Sequence, residues 1–145
     1  TSIYQYFASS ADLAADLVID ELKNFAKELK KIADAGETPI EAIGLWIEGS
    51  LQYIADGRHL LVKSLSTTTP PEFRQEEVKA GHRKLMATFI DPLSKLGIAN
   101  PRAAAALLQS TIDATAIRID SGHPVEAEIQ QAVTFALAGL RALES

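Results

Sequence analysis

The sequence predicts an all-α chain folded as a multi-helix bundle. Every long segment spaces its apolar residues at the 3.6-residue period, and no window alternates apolar and polar residues long enough to make a strand. The segment ends also carry start and stop signals of the kind that helices use.

Taken in order, the first full helix is expected to place Leu13, Leu17, Val18, Leu22, Phe25, Leu29 and Ile32 on one stripe, with Ser9 as its N-cap. Asp12 would close a capping box, and Gly36 ends the segment. Asp12, Asp16 and Asp20 crowd its start while Lys23, Lys27, Lys30 and Lys31 crowd its end, which suits the helix dipole and reads as a solvated face. Thr38-Pro39-Ile40-Glu41 opens a second helix with a capping Thr, Pro at the first helical position and Glu at the third. That helix carries Ile40, Ile43, Ile47, Leu51 and Ile54 on one side, has Trp46 and Tyr53 on a flank, and stops near Gly57.

A short helix from Arg58 to Leu65 and a loop over Ser66 to Pro71 come next, and Thr69 with Glu72 repeats the capping pattern. The following helix has Val78, His82, Leu85, Phe89, Leu93 and Leu96 as its core stripe. Pro92 removes one backbone donor from it and predicts a kink or break, before Gly97 closes the segment. Asn100-Pro101 and His123-Pro124 open the last two helices, with Ser121-Gly122 between them.

Charge density separates this last part from the rest, because only eight of the 46 residues from Asn100 onward are charged against 25 of the preceding 99. Both terminal helices are apolar or small on more than one side. Ala104, Leu108, Ile112, Thr115 and Ile119 form one stripe of the first, while Ala103, Leu107, Ser110, Ala114 and Ile117 form another. The final helix pairs Ile129, Val133, Ala136, Leu137 and Leu140 with Ala132, Phe135 and Gly139. A helix with two such faces usually buries the second against another subunit, so a homodimer with a two-fold four-helix interface is expected. The residues assigned to that interface are Leu108, Ile112, Thr115, Ile129, Ala132, Val133, Ala136, Gly139 and Leu140.

Composition narrows the function classes. A chain of 145 residues fits one domain with a real core, and 47% hydrophobic with 23% charged residues is ordinary for a soluble globular protein. Disulfides and thiolate metal sites are excluded by the lack of cysteine, which is compatible with a cytoplasmic location. No apolar stretch approaches the ~18 residues of a membrane span, and no signal peptide is visible, so no membrane partner is expected. The net charge of −5 argues against these residues gripping nucleic acid unaided, since phosphate neutralisation needs clustered Lys and Arg.

The opening residues carry a family likeness. Tyr4, Tyr6, Phe7, Ser9 and Leu13, preceded by Thr1, resemble the end of the recognition helix and the start of the next helix in TetR-type transcriptional regulators. The resemblance covers this motif residue by residue and the rest of the chain only by helix order and length. It implies an all-helical homodimer whose N-terminal helix-turn-helix reads DNA and whose C-terminal body binds a small molecule and pairs through its last two helices. Residues 1–8 would then be the remnant of the DNA-reading head and residues 9–145 the effector-binding and dimerisation domain. Thr1, Tyr4, Tyr6 and Ser10 become candidate phosphate contacts. Ser10 stands where the family commonly has a phosphate-gripping Lys, so its hydroxyl would have to serve instead.

On the middle helices, which in that family wall the effector pocket, Trp46, Tyr53, His82, Met86 and Phe89 are candidate ligand contacts for an apolar or aromatic effector. Each has a bland alternative as core filling. Asp113, Arg118 and Ile117 lie on the charge-poor helix after Asn100. Asp113 and Ile117 are further ligand candidates, with a cross-dimer ion pair as the simpler account of the two charges.

Catalysis finds no support. Asp56-Gly57-Arg58-His59 and Asp120-Ser121-Gly122-His123 each straddle a predicted helix break rather than projecting from a helix interior, so no metal site is expected, and no phosphate-cradling glycine loop or cofactor motif is present. Two functions therefore stand at this stage: a ligand-responsive transcriptional regulator, most simply a repressor, whose DNA-reading head is mostly missing from these residues, or a stand-alone helical dimerisation or adaptor module without a pocket.

Overall fold

The computed structural model describes residues 2–60 and 72–144, with side chains from Asp12 onward. Five helices account for most of it: α1 (Ser2–Asp34), α2 (Pro39–Ala55), α3 (Glu72–Ser94), α4 (Pro101–Asp120) and α5 (Val125–Leu143). Among the described residues there is no strand, and no helix is long and apolar enough to cross a membrane. The Arg58–Leu65 helix begins at His59 and Leu60. Its remainder, the loop after it and the Thr69 cap lie outside the described residues.

Local chemistry sets most boundaries. Thr38 caps α2 by accepting the Glu41 amide at 3.2 Å, while the Glu41 carboxylate reaches back to the Glu37 amide at 2.9 Å, satisfying two amides that the first turn leaves free. Asn100 does the same for α4, accepting the Ala103 amide at 3.1 Å ahead of Pro101. At the other end of α4 the chain reverses through Gly122, whose φ of +96° suits only glycine without strain. There the His123 amide bonds to the Arg118 carbonyl and the Gly122 amide to Ile119, the paired bonds of a Schellman stop.

Packing is organised around α2, which touches α1, α3, α4 and α5. The arrangement follows from its sequence. Ile43, Ile47 and Leu51 are completely buried on its inner side, Trp46 and Tyr53 nearly so, and Gly44 and Gly49 let α5 and α1 approach. The other fully buried large side chains are Leu29, Phe89, Leu93 and Leu140, so α1, α3 and α5 each lock onto this centre. Burial of each such side chain stabilises the fold by about 1.5–3 kcal/mol.

Four sequence expectations change here. Ser9 is not a cap, because α1 runs unbroken from Ser2 and helical backbone passes straight through the 8/9 boundary. Leu13 and Leu17 are exposed at 60% and 43%. The core at that level is filled by Ala14, Ala15, Val18 and Leu22, whose small or compact side chains admit α3 so closely that a Cβ on Gly81 would lie 3.2 Å from Leu22. His82 is exposed rather than part of the α3 core stripe, as burying a polar ring without a partner would be costly. Finally, α3 does not break at Pro92 but continues to Ser94, after which the Lys95 and Leu96 amides close on Pro92 and Leu93.

Candidate functional site

The interior wall of α2 gathers most of the predicted ligand residues. Trp46 lies flat against Phe89 of α3, with ring centroids 4.1 Å apart and planes 7° from parallel. Its indole Nε1 donates to the Thr88 hydroxyl at 2.8 Å, and Thr88 in turn donates to the Leu85 carbonyl at 2.6 Å. Two turns on, Tyr53 stacks on Phe25 of α1 at 3.9 Å and donates its phenol hydroxyl to Glu21 at 2.7 Å. The Arg58 guanidinium covers the outer face of the Tyr53 ring at 4.6 Å and forks onto Glu28 at 3.1 and 2.9 Å. Burial, reinforced by the neighbouring Glu21 carboxylate, pushes the Tyr53 hydroxyl well above the usual phenol range, so it stays protonated as a donor.

Met86 borders this wall half-buried. Between Trp46 and Tyr53 stands Ser50, 6% exposed, whose hydroxyl has no hydrogen-bond partner among the described residues. Sequence reading passed over it because one serine scarcely interrupts an apolar stripe. Its only signal was a hydroxyl four residues after Trp46 on the inward side.

Asp113 and Ile117 do not reach this interior. On α4 the inward side is Ala104, Ala105, Leu108, Ile112, Thr115 and Ile119, and both residues are turned away from it. Asp113 accepts a hydrogen bond from Gln109 at 2.9 Å on the surface, and Ile117 is 67% exposed. Arg118 already holds Glu128 of α5 within the same chain, through Nε to Oε2 and Nη2 to Oε1, both at 2.8 Å. Glu128 was missed because its partner lies ten residues away across a helix reversal.

A second feature is the outer face of α4 and α5. Leu108, Ile112, Thr115, Ile129, Ala132, Ala136 and Leu140, assigned above to a subunit interface, are buried in the chain's own core, and Val133 is half-buried against α2 beside Gly44. Each helix spends its larger, branched stripe on its own bundle, so the opposite stripe is the one left to solvent. Only Gly139 of the assigned set lies there, with nothing within 4 Å of the position a Cβ would take. Leu107, Ile117, Phe135 and Leu143, all more than half exposed, make up the outward stripe. Two shallow grooves of about 620 and 360 Å³ run between the helices there, sharing Leu107, Thr111 and Phe135.

At the N-terminal end, Tyr4, Tyr6 and Ser10 lie on the helical backbone of α1 but their side chains are outside the described residues, as is Thr1. What the structure adds nearby is an ion cluster between α1 and α3, in which Arg74 forks onto Asp12 and Asp16 and approaches Glu77 at 3.3 Å. Hydrogen bonds to Asp16 and Asp12 raise the Arg74 guanidinium above its usual range and hold it charged. Of the two D-x-x-H segments, Asp56 caps the end of α2 and accepts a hydrogen bond from the Gln52 side chain, while His59 approaches Asp120 at 3.8 Å. No group of three metal-ligating side chains occurs among the described residues.

The site thus consists of an aromatic interior coupled to α1 and an apolar outer face on the last two helices. Comparison of the chain with protein-family models, with curated proteins and with solved structures finds no match.

Proposed function

We propose that this chain is the regulatory body of a TetR-type transcriptional regulator, pairing through α4 and α5 and setting the separation of two DNA-reading heads at the α1 ends. The observation that carries this is the outward stripe of Leu107, Ile117, Phe135 and Leu143, an exposed apolar face on the last two helices, in the part of the chain where only eight of 46 residues are charged. The opening Tyr4-Gln5-Tyr6-Phe7 motif supplies the link to DNA. In mechanism, an apolar or aromatic effector lodges between α2, α3 and α4 and favours an arrangement in which the Trp46–Phe89 contact is opened. Because α1 is tied to α2 through Tyr53–Glu21 and Arg58–Glu28 and to α3 through Arg74, that change alters the direction in which α1 leaves the bundle. A ligand can shift operator binding only by its differential affinity for the two arrangements.

The test uses the protein together with whatever coding sequence lies upstream of Thr1. A basic helix-turn-helix there, and operator affinity that changes with a bound small molecule, support the assignment. Operator affinity indifferent to every ligand that binds the body counts against it.

A second reading, a helical dimerisation or adaptor module without a pocket, is favoured by one specific observation. The Trp46–Phe89 stack and its Thr88 hydrogen bond fill the interior at that level. It predicts pairing in solution with no saturable small-molecule response at Trp46.

A further inference from the structure

The end of the bundle where α1 stops, α2 starts and α3 stops holds a cleft of about 330 Å³, apart from the pairing face. Its charges follow from the helix register. Arg74 meets Asp12 and Asp16, Gly81 packs on Leu22, and Asp91 lies across from Lys30, so α1 and α3 run parallel. One turn further along both helices, Lys95 comes level with Asp34. Asp34 is already taken, however, since Lys30 donates to it at 2.7 Å along α1. That bond matches the two α1 charges with each other. It leaves Asp91 and Lys95, which border the cleft from the α3 side, with no hydrogen-bond or ion-pair partner for either side chain among the described residues.

The two spare charges are four residues apart, so a carboxylate and an ammonium lie one turn from each other on one side of the chain. Both are exposed, and an exposed pair at this spacing gains little by closing on itself. Thr88 stands one turn before Asp91 on the same side and also lines the cleft. Its hydroxyl oxygen accepts from the Trp46 indole and donates to the Leu85 carbonyl, which leaves one lone pair able to accept again. Pro39, Ala42 and Pro92 add apolar surface beside these polar groups.

We infer that this cleft binds an α-amino acid with a small apolar side chain, held as its zwitterion with the ammonium between Asp91 and Thr88, the carboxylate on Lys95 and the side chain against Pro39 and Pro92. The balance of charge selects this class. A simple anion would meet Asp91, Asp34 and Glu37 around the same cleft, and a simple cation would leave Lys95 unmatched. The volume stands at the small end of the ~300–1,000 Å³ range of ligand sites, which suits a ligand of this size. The inference is independent of the proposed function, because it involves no DNA, no subunit contact and no effector between α2, α3 and α4.

The experiment titrates the chain with L-valine, with isobutylamine, which is valine without its carboxylate, and with isovalerate, which is valine without its ammonium. Binding is read by calorimetry and by the emission of Trp46, the only tryptophan in the chain, whose indole bonds to Thr88 at the cleft. The expected result is saturable binding of valine, with half-saturation about tenfold below that of either analogue. Lys95→Gln should abolish the preference over isobutylamine and keep that over isovalerate. Asp91→Asn should do the reverse, and since both side chains are exposed, Tm should stay unchanged in each. No saturable valine binding by either readout, or preferences that survive both substitutions, overturns the inference. Neither DNA nor pairing enters these titrations, so an operator indifferent to valine would leave the cleft's ligand standing, and a missing valine response would leave the regulatory assignment untouched.

Discussion

Arg118 and Glu128 close the reversal between α4 and α5 with two parallel hydrogen bonds of 2.8 Å, and Glu128 retains only 7% of its exposure beneath the guanidinium. The hydrogen bonds from Arg118, and then its charge, hold the Glu128 carboxyl below the usual carboxylate range, with His123 adding in the same direction. A group depressed in the folded state stabilises above its unfolded pKa, about 4.3 for Glu, and that contribution is lost as pH falls through the lower folded value. The melting temperature of the unaltered chain should therefore exceed that of Glu128→Gln at neutral pH, with the gap narrowing below about pH 4. A gap that does not change between pH 7 and pH 3 would remove the ion pair from the acid response.

Thr88 is the sole described partner of the Trp46 indole N–H. Thr88→Val keeps the shape and removes the acceptor, so it should cost about 1–3 kcal/mol in denaturant unfolding and shift Trp46 emission. Phe89→Ala, which empties a completely buried ring site against the indole, should cost more, about 3–5 kcal/mol. A Thr88→Val variant as stable as its parent would mean that the hydrogen bond is replaced by another.

Phe135 and Ile117 are exposed at 69% and 67% on the outward stripe, whereas Leu108 and Ile112 point into the core. Phe135→Glu should lower the sedimentation mass to that of one chain while leaving the helical signal and melting cooperativity of the body intact. Leu108→Glu should unfold it, because the carboxylate would be buried without a partner. Pairing that survives Phe135→Glu and Ile117→Glu together would place the contact elsewhere.

Gly36 has no unusual φ, yet a Cβ there would lie 2.6 Å from the Ala42 amide nitrogen and 3.0 Å from the backbone of Glu41 and Ala42. Backbone has little room to yield. Gly36→Ala should therefore destabilise by about 1–3 kcal/mol. A neutral or stabilising result would show that the α1–α2 corner relaxes freely.

Legibility in the sequence follows the range of the interactions. The starts of α2 and α4 could be read because Thr38, Pro39, Glu41, Asn100 and Pro101 act within one turn, and the stops because Gly57 and Gly122 take a conformation other residues avoid. The two apolar stripes of α4 and α5 were visible too. Which stripe faces inward was not, because periodicity fixes the angle between stripes and says nothing about where neighbouring helices lie. Leu13, Leu17 and His82 failed for the same reason, each sitting at a helical spacing that promised cover the surrounding helices do not give. Trp46, Tyr53 and Phe89 could be placed on the middle helices as ligand contacts or core filling, but the partners Thr88, Glu21 and Phe25 come from other segments, and only the packed bundle brings them together.

The unbroken course of α1 has a mechanical consequence. From Asp12, the outermost residue that Arg74 holds, to Ser2 the helix covers about 15 Å at 1.5 Å per residue, with no joint in between to absorb a change of direction. A rotation of only 10° about that grip would sweep its far tip through roughly 2.6 Å. The same stiffness means that any force applied at the tip is delivered first to the Arg74 clamp and to Ala14 and Ala15 packed behind it.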